Sequence, residues 1–534
     1  MNISSLFEKR LERVNLQKTA IVLLKADGTE EKYSWYNYQE KAMCVAEWLS
    51  KQGIKRGDFV AIIPLNLPDS FFALLGIILI GAVPVPINVQ LLKEKGLVDL
   101  RKIIDDCKPK LVLANESLYE LMPEIDPYLI EGIIARTELL LLKSNKPRSY
   151  YYRFYTAMGE NDLLIMPYTS GTSGQPKGVM LTQKNILNRL EAITAALEAT
   201  EEERILSYLP LGHIAELVAT FFGQIYAGYT VYFTEHVKEA IKNPEKLRKN
   251  FPIVLQQVKP TIFIGVPKIW TSFRKSIEAQ IKKLPMHGLI IPQWLKKRAI
   301  KKKLGFRKTR IFVSAAAKIS GDDLEFFDKL GIRVDDIYGQ TETAGPLTFN
   351  GVPLGPNNKM CVKEEEIVVV GDCVMAGYFQ NPSANEQVFS KNEVGEVIYH
   401  TGDTCRKDGE KIFWTGRLGN GFKLANGEYV NPEKIEFIEE EIRKIDPRIN
   451  EAVICGVNRP HLVALIFIDG NSEFRELSEK IKLRLPQVGE GIHKLKNFVL
   501  LNNTELEMTP TMKIKKNSLL KKFELTVNQM YRST

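Results

Sequence analysis

The chain has 534 residues, 44% of them hydrophobic and 26% charged, with a formal net charge of +9. At roughly 100–200 residues per folding unit, this fits a soluble protein of several compact bodies. No nucleic-acid-binding motif accompanies the basic excess, and Cys44, Cys107, Cys361, Cys373, Cys405 and Cys455 form no C-x-x-C pair. Nucleic acid, a zinc site and a disulfide framework are set aside on those grounds, and a reducing cytoplasm is the default location.

Taken in order, the N-terminal stretch Met1 to Arg10 turns charged too soon for a signal peptide. The longest apolar run, Phe71 to Ile87, is broken by Gly76, Gly81, Pro84 and Pro86. It reads as a buried helix from Ser70 to Ile80 turning at Gly81 into a strand, since a membrane span needs about 20 apolar residues. Leu163 to Tyr168 reads as a strand. A loop rich in glycine and hydroxyl residues follows, and then a helix from near Thr182 with Ile186, Leu187, Leu190 and Ile193 at core spacing.

Between Lys296 and Arg310 lie nine basic residues and no acid, preceded by the apolar stretch Leu289 to Leu295. Two readings stay open for Lys296–Arg310: a solvated helix face, or peripheral contact with an anionic membrane. Ile311 to Ser314 is a strand, and Ser320 with Asp323 marks a helix start whose early acids suit the positive end of the helix dipole.

Alternating β-branched runs and helical patterns predict an α/β protein, with a large N-terminal domain of parallel-rich sheets flanked by helices. After Gly416 the texture changes to a small α+β domain. It has helices over Glu433 to Ile445 and Phe474 to Leu485, and strands over Ala452 to Cys455 and Leu462 to Ile468. The expected division is 1–416 and 417–534, joined at Arg417-Leu418-Gly419-Asn420-Gly421, where glycines supply hinge freedom.

The strongest local signal is Tyr168-Thr169-Ser170-Gly171-Thr172-Ser173-Gly174-Gln175-Pro176-Lys177-Gly178. Its glycines allow close approach of the backbone, its amides and hydroxyls suit phosphate oxygens, and Lys177 adds positive charge. Its spacing is not that of a Walker A loop, which sets aside the nucleotide kinases and motor ATPases.

This stretch resembles the phosphate-binding signature of the adenylate-forming superfamily, which includes acyl-CoA synthetases, peptide-synthetase adenylation domains and firefly luciferase. Further motifs follow in the family's order. In Tyr338-Gly339-Gln340-Thr341-Glu342-Thr343, the resemblance implies that Tyr338 stacks on adenine, Thr341 bonds the phosphate and Glu342 holds Mg²⁺, with Thr169 also near the metal. The chemistry agrees, because an aromatic face suits a purine and a carboxylate suits a hard cation that bridges phosphates. Ala316, Ala317 and Lys318 form the adenine-side segment, with lysine where relatives usually carry proline. Asp403, in Tyr399-His400-Thr401-Gly402-Asp403, is expected to accept from the ribose hydroxyls, and Arg417 to reach the ribose and phosphate. Lys513, in Thr509-Pro510-Thr511-Met512-Lys513-Ile514-Lys515, matches the catalytic lysine of adenylation.

The resemblance implies ATP, Mg²⁺ and coenzyme A as reactants. A carboxylate attacks the α-phosphorus of ATP, pyrophosphate leaves, and a thiol then displaces AMP after the small domain swings. Lys423, Asn426 and Gly427 then face the thiol channel. Leu209-Pro210-Leu211-Gly212-His213-Ile214-Ala215-Glu216 is similar to a segment of long-chain fatty acyl-CoA synthetases, with His213 near the reacting carboxylate. Phe221, Phe222, Gly223, Tyr226 and Gly228 read equally as the wall of an apolar tunnel or as packed core. The expected activity is ATP-dependent ligation of a medium- or long-chain fatty acid to coenzyme A. Two alternatives stand beside it: transfer of an acyl or aryl group to a carrier-protein phosphopantetheine, and an inactive lipid-binding scaffold.

Overall fold

The computed structural model describes residues 1–92, 97–115, 117–118, 133–134, 158–169, 175–282, 293–315, 317–355, 357–426, 428–469, 474–489, 494–508 and 514–532. The chain forms two compact units. The larger comprises Met1–Lys359 with Val369–Tyr399, and the smaller Met360–Val368 with His400–Thr534.

Among the described residues, the larger unit holds three sheets whose central ladders are parallel and an antiparallel one in which Lys177–Thr182 pairs with Leu163–Ile165 and Gly377–Tyr378. In the first, Phe59–Ile63 lies between Val83–Pro86 and Leu111–Ala114. In the second, Thr230–Thr234 joins Arg204–Leu206 and Thr19–Leu24, and Glu30–Ser34 adds an antiparallel edge. The third runs Ile262–Gly265, Ile311–Ser314 and Val334–Gln340 in parallel, then turns back through Gly345–Phe349.

The apolar run after Pro68 is the helix Pro68–Leu79, buried on every side but Asp69, and the strand Val83–Pro86. A helix apolar all round belongs inside a protein. Proline at its first turn gives up an amide that no helical partner would take. Gly76 lets it close on a neighbouring helix, Trp35–Lys51, because a Cβ there would stand 2.6 Å from Val45 Cβ. Among the described residues, no helix is long and apolar enough to cross a membrane.

An aromatic core fills the space around the third sheet, with Phe263, Trp270, Phe306, Phe312 and Phe327 all buried. The stretch read two ways in the sequence is buried in part, with Tyr226 only half-buried. Phe221 and Phe222 are fully buried, Phe221 meets Phe71 edge-on at 5.2 Å, and a Cβ at Gly223 would strike the Tyr229 hydroxyl.

In the smaller unit, Leu462–Ile468 is a central strand with all seven residues buried. It pairs antiparallel with Ile449–Cys455 and parallel with Leu495–Asn502. Alternate side chains enter opposite cores, as the period of a strand requires. Leu462, Ala464 and Ile466 face Ile435, Ile438 and Ile442 of the helix Pro432–Ile445 and Leu477 of Phe474–Arg484. Val463, Leu465 and Phe467 face Leu519, Phe523 and Met530 of the C-terminal helices.

Candidate functional site

The glycine-rich loop is closed at its base by a short antiparallel ladder that sets Tyr168 opposite Gly178 and Thr169 opposite Lys177. A Cβ at Gly178 would stand 3.0 Å from Tyr168 Cζ, close enough that the ring would have to give way. The Tyr168 hydroxyl donates to Asp106 Oδ2 at 2.5 Å, anchoring one side of the ladder. Ser170, Gly171, Thr172, Ser173 and Gly174, the loop itself, lie outside the described residues.

The strand Val334–Gln340 carries the second motif to the carboxyl end of the third sheet, where ligands of α/β proteins usually bind. Tyr338 is 8% exposed and Thr341 is buried. Gly339 permits the sharp return, because a Cβ would lie 2.1 Å from the Gly345 carbonyl oxygen. Thr341–Thr343 form a single tight turn, capped by Gln340 and Thr343 bonding each other's backbone. Glu342 sits at its centre, and its carbonyl accepts from the Met375 amide at 2.9 Å.

The Glu342 carboxylate accepts a hydrogen bond from the Tyr378 hydroxyl at 3.0 Å, and the Lys177 ammonium lies 4.9 Å from the centroid of the same ring. Tyr378 thus brings together the base of the phosphate loop and the carboxylate predicted to hold the metal. It was missed in the sequence, where Gly377-Tyr378 carries no distinguishing pattern. With one bond accepted on Oε1, the carboxylate keeps lone pairs for a cation. No cluster of three or more metal-binding side chains occurs among the described residues. That donor set fits Mg²⁺, which is commonly held by one or two carboxylates together with substrate phosphates.

Ala317 and Lys318 are exposed on the adenine-side segment, and Ala316 lies outside the described residues. Burial pushes the Asp336 carboxyl up to about 6, with the charge of Lys318 opposing the rise.

His213 caps a short helical turn, its Nδ1 accepting from the Ala215 amide at 3.2 Å. Behind it lies Glu216, 3% exposed. Its Oε1 accepts from Ser207 at 2.6 Å, and from Asn66 and Thr220 at 3.4 Å each. Burial pushes this carboxyl up to about 8, against the hydrogen bonds that favour the charged form. Asn66 also donates to the Leu209 carbonyl at 2.7 Å, so the network holds the start of the turn that carries His213.

The smaller unit holds the remaining predicted residues. Asp403 and Arg417 are paired across a hairpin, with Arg417 Nε 2.9 Å from Asp403 Oδ1 and Arg417 Nη1 donating to the Thr401 carbonyl. Asp403 is 2% exposed. Glu366 pins the same turn, accepting from the Gly402 amide at 2.8 Å with its other oxygen 2.9 Å from His400 Nδ1. Glu366 was also missed, because only strand pairing brings it there. Lys423 and Asn426 are exposed, and Gly427 lies outside the described residues. So does Lys513; the described residues on either side of it in sequence, Met508 and Ile514, form an antiparallel bridge.

Residues 7–379 match the AMP-binding enzyme family, and residues 421–534 match the AMP-binding enzyme C-terminal domain. The chain is 26% identical to a long-chain-fatty-acid–CoA ligase of Rattus norvegicus, across all of this chain and 93% of that one. It is 24% identical to a long-chain-fatty-acid–CoA ligase of Gallus gallus, across 95% of this chain and 78% of that one. Among solved structures, McyG A-PCP complexed with phenylalanyl-adenylate matches with a TM-score of 0.78 at 18% identity, over 99% of this chain and 84% of that one. The adenylation domain of a carboxylate reductase from Mycobacterium chelonae matches at 0.77 and 18% identity, over 100% of this chain and 91% of that one. Both structural likenesses speak to the fold. With the family match spanning more than half of the chain, and the smaller unit matching the companion C-terminal domain, this chain belongs to the AMP-binding enzymes.

Proposed function

We propose that the chain activates a medium- or long-chain fatty acid with ATP, releases pyrophosphate, and passes the acyl group from acyl-AMP to coenzyme A. The observation that carries this reading is the meeting of Lys177 and Glu342 on Tyr378. It sits in a chain similar along its whole length to long-chain-fatty-acid–CoA ligases.

A carboxylate is a poor acyl donor until its oxygen becomes a good leaving group, which the mixed anhydride with AMP supplies. Attack on the α-phosphorus calls for positioning and charge stabilisation rather than for a protein nucleophile. Lys177 and the amides and hydroxyls of Thr169 to Gly174 hold the phosphates, Thr341 bonds the α-phosphate, and Lys513 steadies the developing charge. Mg²⁺, bound through Glu342 near Thr169, supplies charge neutralisation on the phosphates. Tyr338, Gly339, Gln340 and the Ala316–Lys318 segment enclose adenine, Asp403 and Arg417 hold the ribose, and His213 orients the fatty carboxylate.

For the second step the joint is placed at Arg417–Gly421, between a domain of residues 1–416 and one of 417–534. Gly419 faces open space where a Cβ would lie, and as glycine it supplies backbone freedom at this joint. Lys423, Asn426 and Gly427 then meet coenzyme A. Product analysis tests the reading: acyl-CoA formed only with ATP, Mg²⁺ and a fatty acid supports it. Acyl transfer to a phosphopantetheinylated carrier but not to coenzyme A overturns the choice of acceptor.

The proposed location, a cytoplasm with peripheral membrane contact, draws its support from charge and cysteine chemistry. All six cysteines are free thiols, which supports a reducing cytoplasm. Lys297, Arg298, Lys301, Lys302 and Arg307 line one hollow of about 550 Å³. Concentrated positive charge supports peripheral contact with an anionic membrane. Flotation with anionic but not neutral vesicles, lost on replacing these five with glutamine, tests that contact.

A further inference from the structure

We infer that Tyr378 is a positioning residue for adenylation: its hydroxyl aims the Glu342 carboxylate at Mg²⁺ and its ring seats the Lys177 ammonium beside the phosphate loop. The inference rests on the proposed function and adds to it a residue that acts through two others.

The geometry over-determines this side chain. Gly377–Tyr378 pairs antiparallel with the strand that begins at Lys177, setting Tyr378 opposite Val179 and Gly377 opposite Met180. The next amide, Phe379 N–H, donates to the Gly178 carbonyl at 2.8 Å. Asn385 then clamps the backbone of Tyr378 from both sides. Its Oδ1 accepts from the Tyr378 amide at 2.7 Å, and its Nδ2 donates to the Tyr378 carbonyl at 3.1 Å. Tyr378 itself is 6% exposed. On the far side, the Met375 amide fixes the Glu342 carbonyl, so the phenol and the carboxylate it addresses are held by the same segment.

A neutral phenol suits this position. It donates one hydrogen bond to the carboxylate and brings no charge to compete with Mg²⁺, while its ring face attracts the ammonium without neutralising it. An acid here would quench Lys177, and a second cation would compete with the metal for Glu342.

Two variants separate the two contacts. Tyr378→Phe keeps the ring and its packing but removes the hydroxyl, and Tyr378→Leu removes both. Isothermal titration measures the binding of ATP with Mg²⁺ and with EDTA, alongside thermal melting. Tyr378→Phe is expected to weaken binding of Mg-ATP about tenfold, the loss of one positioned hydrogen bond to a charged group, while metal-free ATP binds as in wild type. Tyr378→Leu is expected to weaken metal-free ATP as well, by about threefold, as Lys177 loses its seat. Equal binding of Mg-ATP by wild type and Tyr378→Phe overturns the inference and leaves the proposed function standing. Failure of the wild type to bind nucleotide at all overturns both. Should Tyr378→Leu melt early, the near-isosteric Tyr378→Phe carries the decision.

Discussion

The Tyr399 hydroxyl donates to Gln340 Oε1 at 2.7 Å, a buried hydrogen bond between residues 59 apart in sequence. Gln340 caps the turn that holds Glu342, and Tyr399 opens the stretch that leads to Asp403. Removing the phenol takes away one of the donors to the Gln340 amide oxygen, which still accepts from the Thr343 amide, so the loss is that of one buried hydrogen bond, about 0.5–1.5 kcal/mol. Tyr399→Phe is therefore expected to lower the stability of the larger unit by that amount in denaturant unfolding. Gln340→Leu combined with Tyr399→Phe is expected to cost more than Tyr399→Phe alone, because the Thr343 amide then loses its cap as well.

Gly339 is expected to tolerate no side chain. Gly339→Ala would place a Cβ 2.1 Å from the Gly345 carbonyl oxygen, so the return strand has to shift and carry Thr341 and Glu342 with it. Displacements of about 1 Å at a reacting centre cost on the order of 10²-fold in rate. Single-turnover adenylation is expected to fall by about that factor while secondary structure, read by circular dichroism, is kept.

These two motifs were legible because their residues are contiguous, and glycine, tyrosine and a carboxylate in one short run already point to a nucleotide turn. The strand Val334–Gln340 runs on through the first three residues of the motif, because the returning strand Gly345–Phe349 pairs with its end. Such pairing is invisible in a local pattern. Tyr378, Asn385 and Glu366 stayed hidden for the same reason, since their roles exist only once distant strands meet. The aromatic stretch near Phe221 shows the converse limit. Composition alone does not separate a tunnel wall from a packed core; in the structure Phe221 and Phe222 are buried and Tyr226 is half-buried.

Glu216 makes the stability of the larger unit depend on pH. Its folded carboxyl, up to about 8 from an ordinary 4.5, keeps its proton where the unfolded chain has lost it. The folded state then binds more protons, so stability falls as pH rises from about 4.5 to about 8, with a slope approaching about 1.4 kcal/mol per pH unit. Glu216→Gln is expected to flatten this slope in melts taken across that range. An unchanged slope would mean that another group sets it.

Asp446 has the opposite sign. Arg448 Nε at 2.8 Å and Lys480 Nζ at 2.7 Å hold its carboxyl well below the usual range, and the hydrogen bond from Arg448 contributes most. The stabilisation is present above the unfolded pKa of about 3.9 and is lost as pH falls below it toward the depressed folded value. Acid unfolding of the smaller unit is expected to begin at higher pH in Lys480→Met than in wild type.

The proposed reaction is adenylation of a fatty acid followed by capture by coenzyme A. Acid-dependent release of pyrophosphate from ATP and Mg²⁺ measures it most directly, with fatty acids from short to very long, with and without coenzyme A, in wild type and Lys513→Ala. Release is expected to peak with medium or long chains, to yield acyl-CoA, and to fall by at least about 10²-fold in the variant. No release with any fatty acid, or equal release in Lys513→Ala, would contradict it.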